Sequence, residues 1–75
     1  MLPTTLKIIR QIRIEKNISQ EQMATKLCFT QSYYAKVERG KAKISAELLF
    51  RILEVLEYNC VNFFKRVEKM KLKGK

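Results

Sequence analysis

Apolar residues recur along this chain at three- and four-residue intervals, the period of helices that bury one face. From about Thr5 to Lys16, Leu6, Ile9 and Ile12 fall on one side with Ile8 beside them, while Lys7, Arg10 and Arg13 turn mostly elsewhere. The spacing predicts a first amphipathic helix, broken at Asn17-Ile18. Ser19, with Gln22 three residues on, forms a capping-box pattern that opens a short second helix from Gln20 to about Leu27. Cys28-Phe29 makes a brief connection, Thr30 supplies an N-cap, and a third helix runs through Tyr34 and Val37 to Arg39, stopped by Gly40. Lys41 to Ile44 read as a basic loop. Ser45 then caps a fourth helix whose Leu48, Leu49, Ile52, Val55 and Leu56 face a core. Asn59 caps a fifth, holding Phe63, Phe64 and Val67, before residues 68–75 trail off as a basic tail. No stretch alternates as a strand does, so the predicted fold class is all-α.

With 75 residues there is material for one small core, and the expectation is a single domain with its core at about 5–67. Charge narrows the partners: 16 lysines and arginines face 7 acidic residues, all glutamate, for a net charge of +9. Such a surface attracts polyanions, either nucleic acid or acidic membrane. Membrane insertion needs an apolar span of roughly 20 residues, and none exists. Met1-Leu2-Pro3-Thr4-Thr5 also lacks the pattern of a signal peptide, so a cytoplasmic location is expected. Cys28 and Cys60 lie far apart, with no CxxC and 0 histidines, so no metal is expected and both are read as semi-buried packing residues. The chain holds no paired catalytic carboxylates, phosphate loop or serine elbow. No enzymatic activity, cofactor or small-molecule ligand is expected.

The helix, tight turn and helix between Gln20 and Arg39 are the part that suits nucleic acid. Ala24 is small enough for the two helices to cross closely, and Leu27, Tyr34 and Val37 supply apolar surface to fix their angle. Braced in this way, the third helix presents Gln31, Ser32, Tyr33 and Lys36 to a major groove that is wide enough for one helix. Gln31 suits a bidentate pair with adenine, Ser32 suits several bases, and Lys36 reaches guanine acceptors or a phosphate. The plain alternative is that they are solvated helix residues. Tyr33 and Tyr34 point about 100° apart and cannot share one task. Tyr33 takes the exposed side, within reach of a thymine methyl or a phosphate. Arg39, Lys41 and Lys43 follow as candidate backbone contacts, and the lysines of the C-terminal segment either add to this attraction or serve solubility alone.

Ile18-Ser19-Gln20-Glu21-Gln22-Met23-Ala24 followed by Tyr34-Ala35-Lys36-Val37-Glu38-Arg39-Gly40 resembles the lambda-repressor-like, or XRE/Cro, helix-turn-helix class, and the resemblance extends over about residues 6–64. It implies a compact five-helix fold and a bacterial or phage transcriptional regulator, a repressor or autoregulator that binds operator DNA as a symmetric dimer. Small members serve phage switches, restriction-modification control, antitoxins and plasmid regulation. It also implies that Gln20 and the first-turn N–H groups grip a phosphate, and that Arg13 and Glu38 form an internal ion pair. Tyr34 stands where the class has isoleucine or valine, which implies a core position with the hydroxyl reaching the surface. Cys28 stands where the class most often has a left-handed glycine, at a cost of ~1 kcal/mol. Tyr58, Phe64 and Val67 are the candidates for a twofold interface, with core packing as the other reading, and Phe63 is assigned to the core. A protein-interaction module on this fold, such as an antitoxin or a subunit needing a partner, would be expected to lose the basic surface. An RNA binder would be expected to show an aromatic platform that is missing here.

Overall fold

Every predicted cap is made. The computed structural model describes residues 3–73, and within them five helices follow one another: α1 (Thr4–Glu15), α2 (Gln20–Leu27), α3 (Gln31–Glu38), α4 (Ala46–Val55) and α5 (Cys60–Lys73). The Ser19 hydroxyl accepts from the Gln22 N–H at 3.0 Å while the Ser19 N–H donates to Gln22 Oε1 at 2.8 Å, a complete capping box. Thr30 accepts from the Tyr33 N–H at 3.1 Å, Ser45 from Leu48 at 3.0 Å, and Asn59 Oδ1 from Val61 at 2.8 Å. Each cap satisfies a donor that the first turn of a helix leaves without a partner.

The helix ends repeat one device. Left-handed residues follow α1 to α4 in turn: Asn17 (φ 58°), Cys28 (φ 62°), Gly40 (φ 76°) and Glu57 (φ 53°). At each, the next N–H reaches back five residues: Ile18 to the Arg13 carbonyl, Phe29 to Ala24, Lys41 to Lys36 and Tyr58 to Leu53, all at 2.8–3.0 Å. These are Schellman motifs, which reverse the chain within a few residues and keep the connections short. Only Gly40 adopts this conformation without crowding of a Cβ, and Cys28 and Glu57 each give up about 1 kcal/mol to do so.

The core is built from all five helices. Ile8, Ile9 and Ile12 of α1, Met23 and Leu27 of α2, Tyr34 and Val37 of α3, Ile52 and Leu53 of α4, and Phe63 of α5 are buried together. α2 packs against α3 and α4, and α1 against α3 and α5. Ala24, 2% exposed, lies in this core as expected, so a larger side chain there would overpack it at about 1–3 kcal/mol. On the surface the Arg66 guanidinium joins α5 to α1 through Glu15 Oε2 at 2.6 Å, and this hydrogen bond holds the Glu15 carboxyl below the usual carboxylate range.

Arg13, which periodicity alone turns mostly away from the apolar face, is buried, in keeping with the internal ion pair that the resemblance implies. Four expectations need correction. The Tyr34 hydroxyl does not reach the surface, because the whole side chain is enclosed. Both cysteines are exposed instead of packed, since Cys28 sits at a turn apex and Cys60 opens α5 on its outer side. Val67, at 7% exposed, is taken up by the core and has little surface left for a partner. The basic tail is helical as far as Lys73, where Met70 still packs against the core, while Gly74-Lys75 and the leading Met1-Leu2 lie outside the described residues.

Candidate nucleic-acid interface

Two apolar residues of α3 and the turn before it fix how the helix is held. Tyr34 and Val37 point into the core, and the Schellman turn at Cys28 sets the start of α3 directly after the end of α2. The opposite face is free: Gln31, Ser32, Tyr33 and Lys36 are all exposed. α3 spans 8 residues, ~12 Å, comparable with the width of a major groove. The structure thus brings together on one open face the four residues expected to meet bases.

Tyr33 is held by neighbours that the sequence reading missed. Its ring meets Phe29 edge to face, with centroids 4.9 Å apart and an 81° angle between planes. Behind Phe29 lies Arg51 of α4, whose guanidinium carbon is 5.9 Å from the ring centroid and whose Nη2 donates to the Leu27 carbonyl at 3.1 Å. Arg51 therefore closes the end of α2 and backs the aromatic pair at the same time. The four-residue interval between Phe29 and Tyr33 was a readable signal, whereas Arg51 lies too far along the chain to be found by spacing.

Beside the start of α3, the starts of α2 and α3 and one face of α1 enclose a recess of about 510 Å³ lined by Arg10, Arg13, Ser19, Gln20, Gln31, Glu38 and Arg39. The expected ion pair forms its floor. Arg13 Nε donates to Glu38 Oε2 at 2.6 Å and Nη2 to Oε1 at 3.2 Å, with Arg13 Nη1 on the Ile18 carbonyl at 2.8 Å. The Gln20 amide, expected to face a phosphate, here donates to Glu38 Oε1 at 3.1 Å. Arg13 is neutralised by Glu38, but Arg10 and Arg39 have no carboxylate partner among the described residues. With the unpaired N–H groups of the first turn of α2, they make the recess suited to an anion. Arg10 was not singled out from the sequence, although it lies one turn before Arg13 on α1.

Lys41 and Lys43 alternate with Ala42 and Ile44, which are half-buried against the core, so both lysines point outward beside Arg39. The candidate interface residues divide differently. Phe64 is 46% exposed and stacks edge to face on Phe63, Tyr58 is half-buried, and Val67 is in the core. Val61, 57% exposed and three residues before Phe64 on α5, extends the apolar spot and was not anticipated. Among the described residues no helix is long and apolar enough to cross a membrane, and no cluster of metal-ligating side chains occurs.

The sequence matches the family described as helix-turn-helix over residues 9–61, the span from α1 into the first turn of α5. The chain belongs to the helix-turn-helix family. Several solved helix-turn-helix structures resemble it over nearly their whole length. The wild-type restriction-modification controller protein C.Esp1396I is 30% identical, with a TM-score of 0.86 over 93% of this chain and 92% of that one. A point mutant of the same controller gives 29% identity and a TM-score of 0.88 over 97% and 95% of the two chains. The C.Esp1396I tetramer in complex with its natural 35 base-pair operator gives 30% identity and a TM-score of 0.80 over 89% and 88%. No curated protein matches the sequence. The five-helix, all-α fold and the helix-turn-helix resemblance are thus borne out over the whole motif.

Proposed function

We propose that this DNA-binding transcriptional regulator is the controller protein of a restriction-modification system, and that as a homodimer it sets α3 of each protomer into the major groove of its operator. The observation that carries the reading is the likeness over nearly the full length of both chains to a restriction-modification controller protein. In this reading Gln31, Ser32, Tyr33 and Lys36 contact base edges, and Gln20, Arg39, Lys41 and Lys43, with Arg10 added, contact the phosphate backbone. Phe64, Tyr58 and Val61 lie toward the partner protomer, and the protein works in the cytoplasm with the DNA it controls. Control then depends on protein concentration, because two half-sites are filled together.

The test is fluorescence anisotropy with the DNA upstream of the protein's own gene and with a scrambled duplex, over about 50 to 200 mM salt. The expected result is binding at least about a thousandfold tighter to the first duplex. Equal, steeply salt-dependent affinity for both would reduce the protein to a polycation on a polyanion and overturn the proposal.

A further inference from the structure

Arg51 lies on α4, 24 residues beyond the last residue of α2, yet it closes that helix. Its Nη2 donates to the Leu27 carbonyl at 3.1 Å, one of the carbonyls that a helix end leaves without an intrahelical partner. The same guanidinium lies over the Phe29 ring, with 5.9 Å between its central carbon and the ring centroid. Cap and stack together use a planar group with donors at its edge, which a lysine ammonium does not offer. Arg51 is exposed, so neither contact is forced on it by burial.

Phe29 in turn supports Tyr33. The two rings meet edge to face with centroids 4.9 Å apart, and Tyr33 is 41% exposed on the open face of α3. An exposed tyrosine turns about two side-chain bonds, and fixing such a side chain only on binding takes away affinity. A ring already held by Phe29 is ordered before DNA arrives. Phe29 can hold it only if it is itself held, and it is half-buried with the Arg51 guanidinium over its ring. Guanidinium, Phe29 ring and Tyr33 ring thus form a row that runs from α4 to the open face of α3.

We infer that Arg51 is a positioning residue for sequence reading: through Phe29 it holds the Tyr33 ring where that ring meets a base edge, and it does so without touching the DNA. The inference rests on the reading of Tyr33 as a base contact. It goes beyond that reading by placing part of the sequence discrimination on α4, outside the helix-turn-helix. The two ways in which an exposed arginine can serve DNA binding are separable. A charge that acted on phosphate directly would help every duplex alike. A support for Tyr33 helps only the duplex that has the right base opposite that ring.

The experiment compares the full chain with Arg51→Gln, Arg51→Lys, Tyr33→Ala and the pair Arg51→Gln with Tyr33→Ala. Fluorescence anisotropy gives the affinity of each for the operator duplex and for the scrambled duplex, and thermal melts and proton NMR follow the free proteins. Arg51→Gln lowers the ratio of operator to scrambled affinity about two- to fivefold. Arg51→Lys keeps the charge but gives up the planar stack, and it lowers the ratio as well. In the Tyr33→Ala background Arg51→Gln leaves the ratio where it is. Without DNA, the ring-proton signals of Phe29 and Tyr33, displaced by their edge-to-face contact, move toward their free side-chain positions in Arg51→Gln. A cap on α2 and nothing more would lower Tm while ratio and ring signals stayed unchanged, and that result overturns the inference. A direct phosphate contact would weaken both duplexes equally in Arg51→Gln and be restored by Arg51→Lys, which overturns it too, as does an equal loss of ratio with and without Tyr33. If the wild-type chain bound no operator, the regulator reading would fall by itself, and the ring signals would still decide whether Arg51 holds Tyr33.

Discussion

Glu38→Ala removes the carboxylate at the centre of the α1–α2–α3 junction and strands the charge that faced it. Arg13 and Glu38 expose 10% and 3% of their side chains, so the guanidinium left behind is cut off from water. It keeps only the Ile18 carbonyl at 2.8 Å, while Nε, Nη2 and the Gln20 amide lose their acceptors. Breaking a buried pair from one side costs about 3–5 kcal/mol. At 0.05–0.15 kcal/mol per residue a chain of this size holds about 4–11 kcal/mol in all, so the single variant is left close to unfolding. The companion change is the informative one. Replacing both partners by apolar residues of similar volume, Arg13→Met with Glu38→Leu, removes the stranded charge and regains most of the loss, because such pairs are often neutral to replace. The assay is urea unfolding monitored by far-UV circular dichroism at pH 7 for the wild type, each single variant and the double. The expected pattern is a large loss in Glu38→Ala and a double variant within about 1.5 kcal/mol of the wild type, with similar m-values. Strictly additive losses in the double variant, or a single loss under about 1 kcal/mol, would mean that the pair behaves as an exposed one and that the burial argument is wrong.

Three other parts of the fold carry predictions of their own. Cys28→Gly relieves a left-handed Cβ at an exposed turn and raises Tm by a few degrees, while Cys28→Ala, which keeps the Cβ, does not; equal melts for the two would refute the assignment of strain. Phe29→Leu keeps the apolar contact but removes the edge-to-face support of Tyr33, so operator affinity falls about two- to tenfold, and a loss of the same size in a Tyr33→Ala background would show that Phe29 does not act through Tyr33. The Glu15 carboxyl lies below its ordinary value when folded, so its contribution is present above that value and disappears as pH falls through the folded one; Glu15→Gln should therefore flatten the acid limb of the stability profile, and an unchanged acid limb would refute the pairing with Arg66.

What was legible in the sequence was local. Ser19, Thr30, Ser45 and Asn59 announce helix starts because a capping side chain acts on N–H groups only two or three residues away. Gly40 announces an end for a similar reason, but Asn17, Cys28 and Glu57 end their helices in the same backbone conformation, and only Cys28 was anticipated, through the family resemblance. Glu57 carries no such mark. The Schellman geometry there closes through the Tyr58 N–H on the Leu53 carbonyl at 3.0 Å, a backbone contact that no residue type in the turn announces.

The polar residues mark the boundary more sharply. Periodicity tells which face of a helix is apolar, but not what stands opposite it. On α1 it placed Arg10 and Arg13 together on the outward side, yet one is buried against Glu38, 25 residues away, and the other remains open on the recess. The same limit hid Arg51, whose partners Leu27 and Phe29 belong to another turn of the fold. The anion-suited recess is therefore assembled from residues that each look ordinary in sequence: an arginine of α1, the open first turn of α2 and an arginine after α3. The exposed residues of α3 that are expected to meet bases lie close together along the chain and could be read from it. The residues that line the recess come from three elements, and they meet only when the core of Ile12, Leu27, Tyr34 and Val37 has brought those elements together.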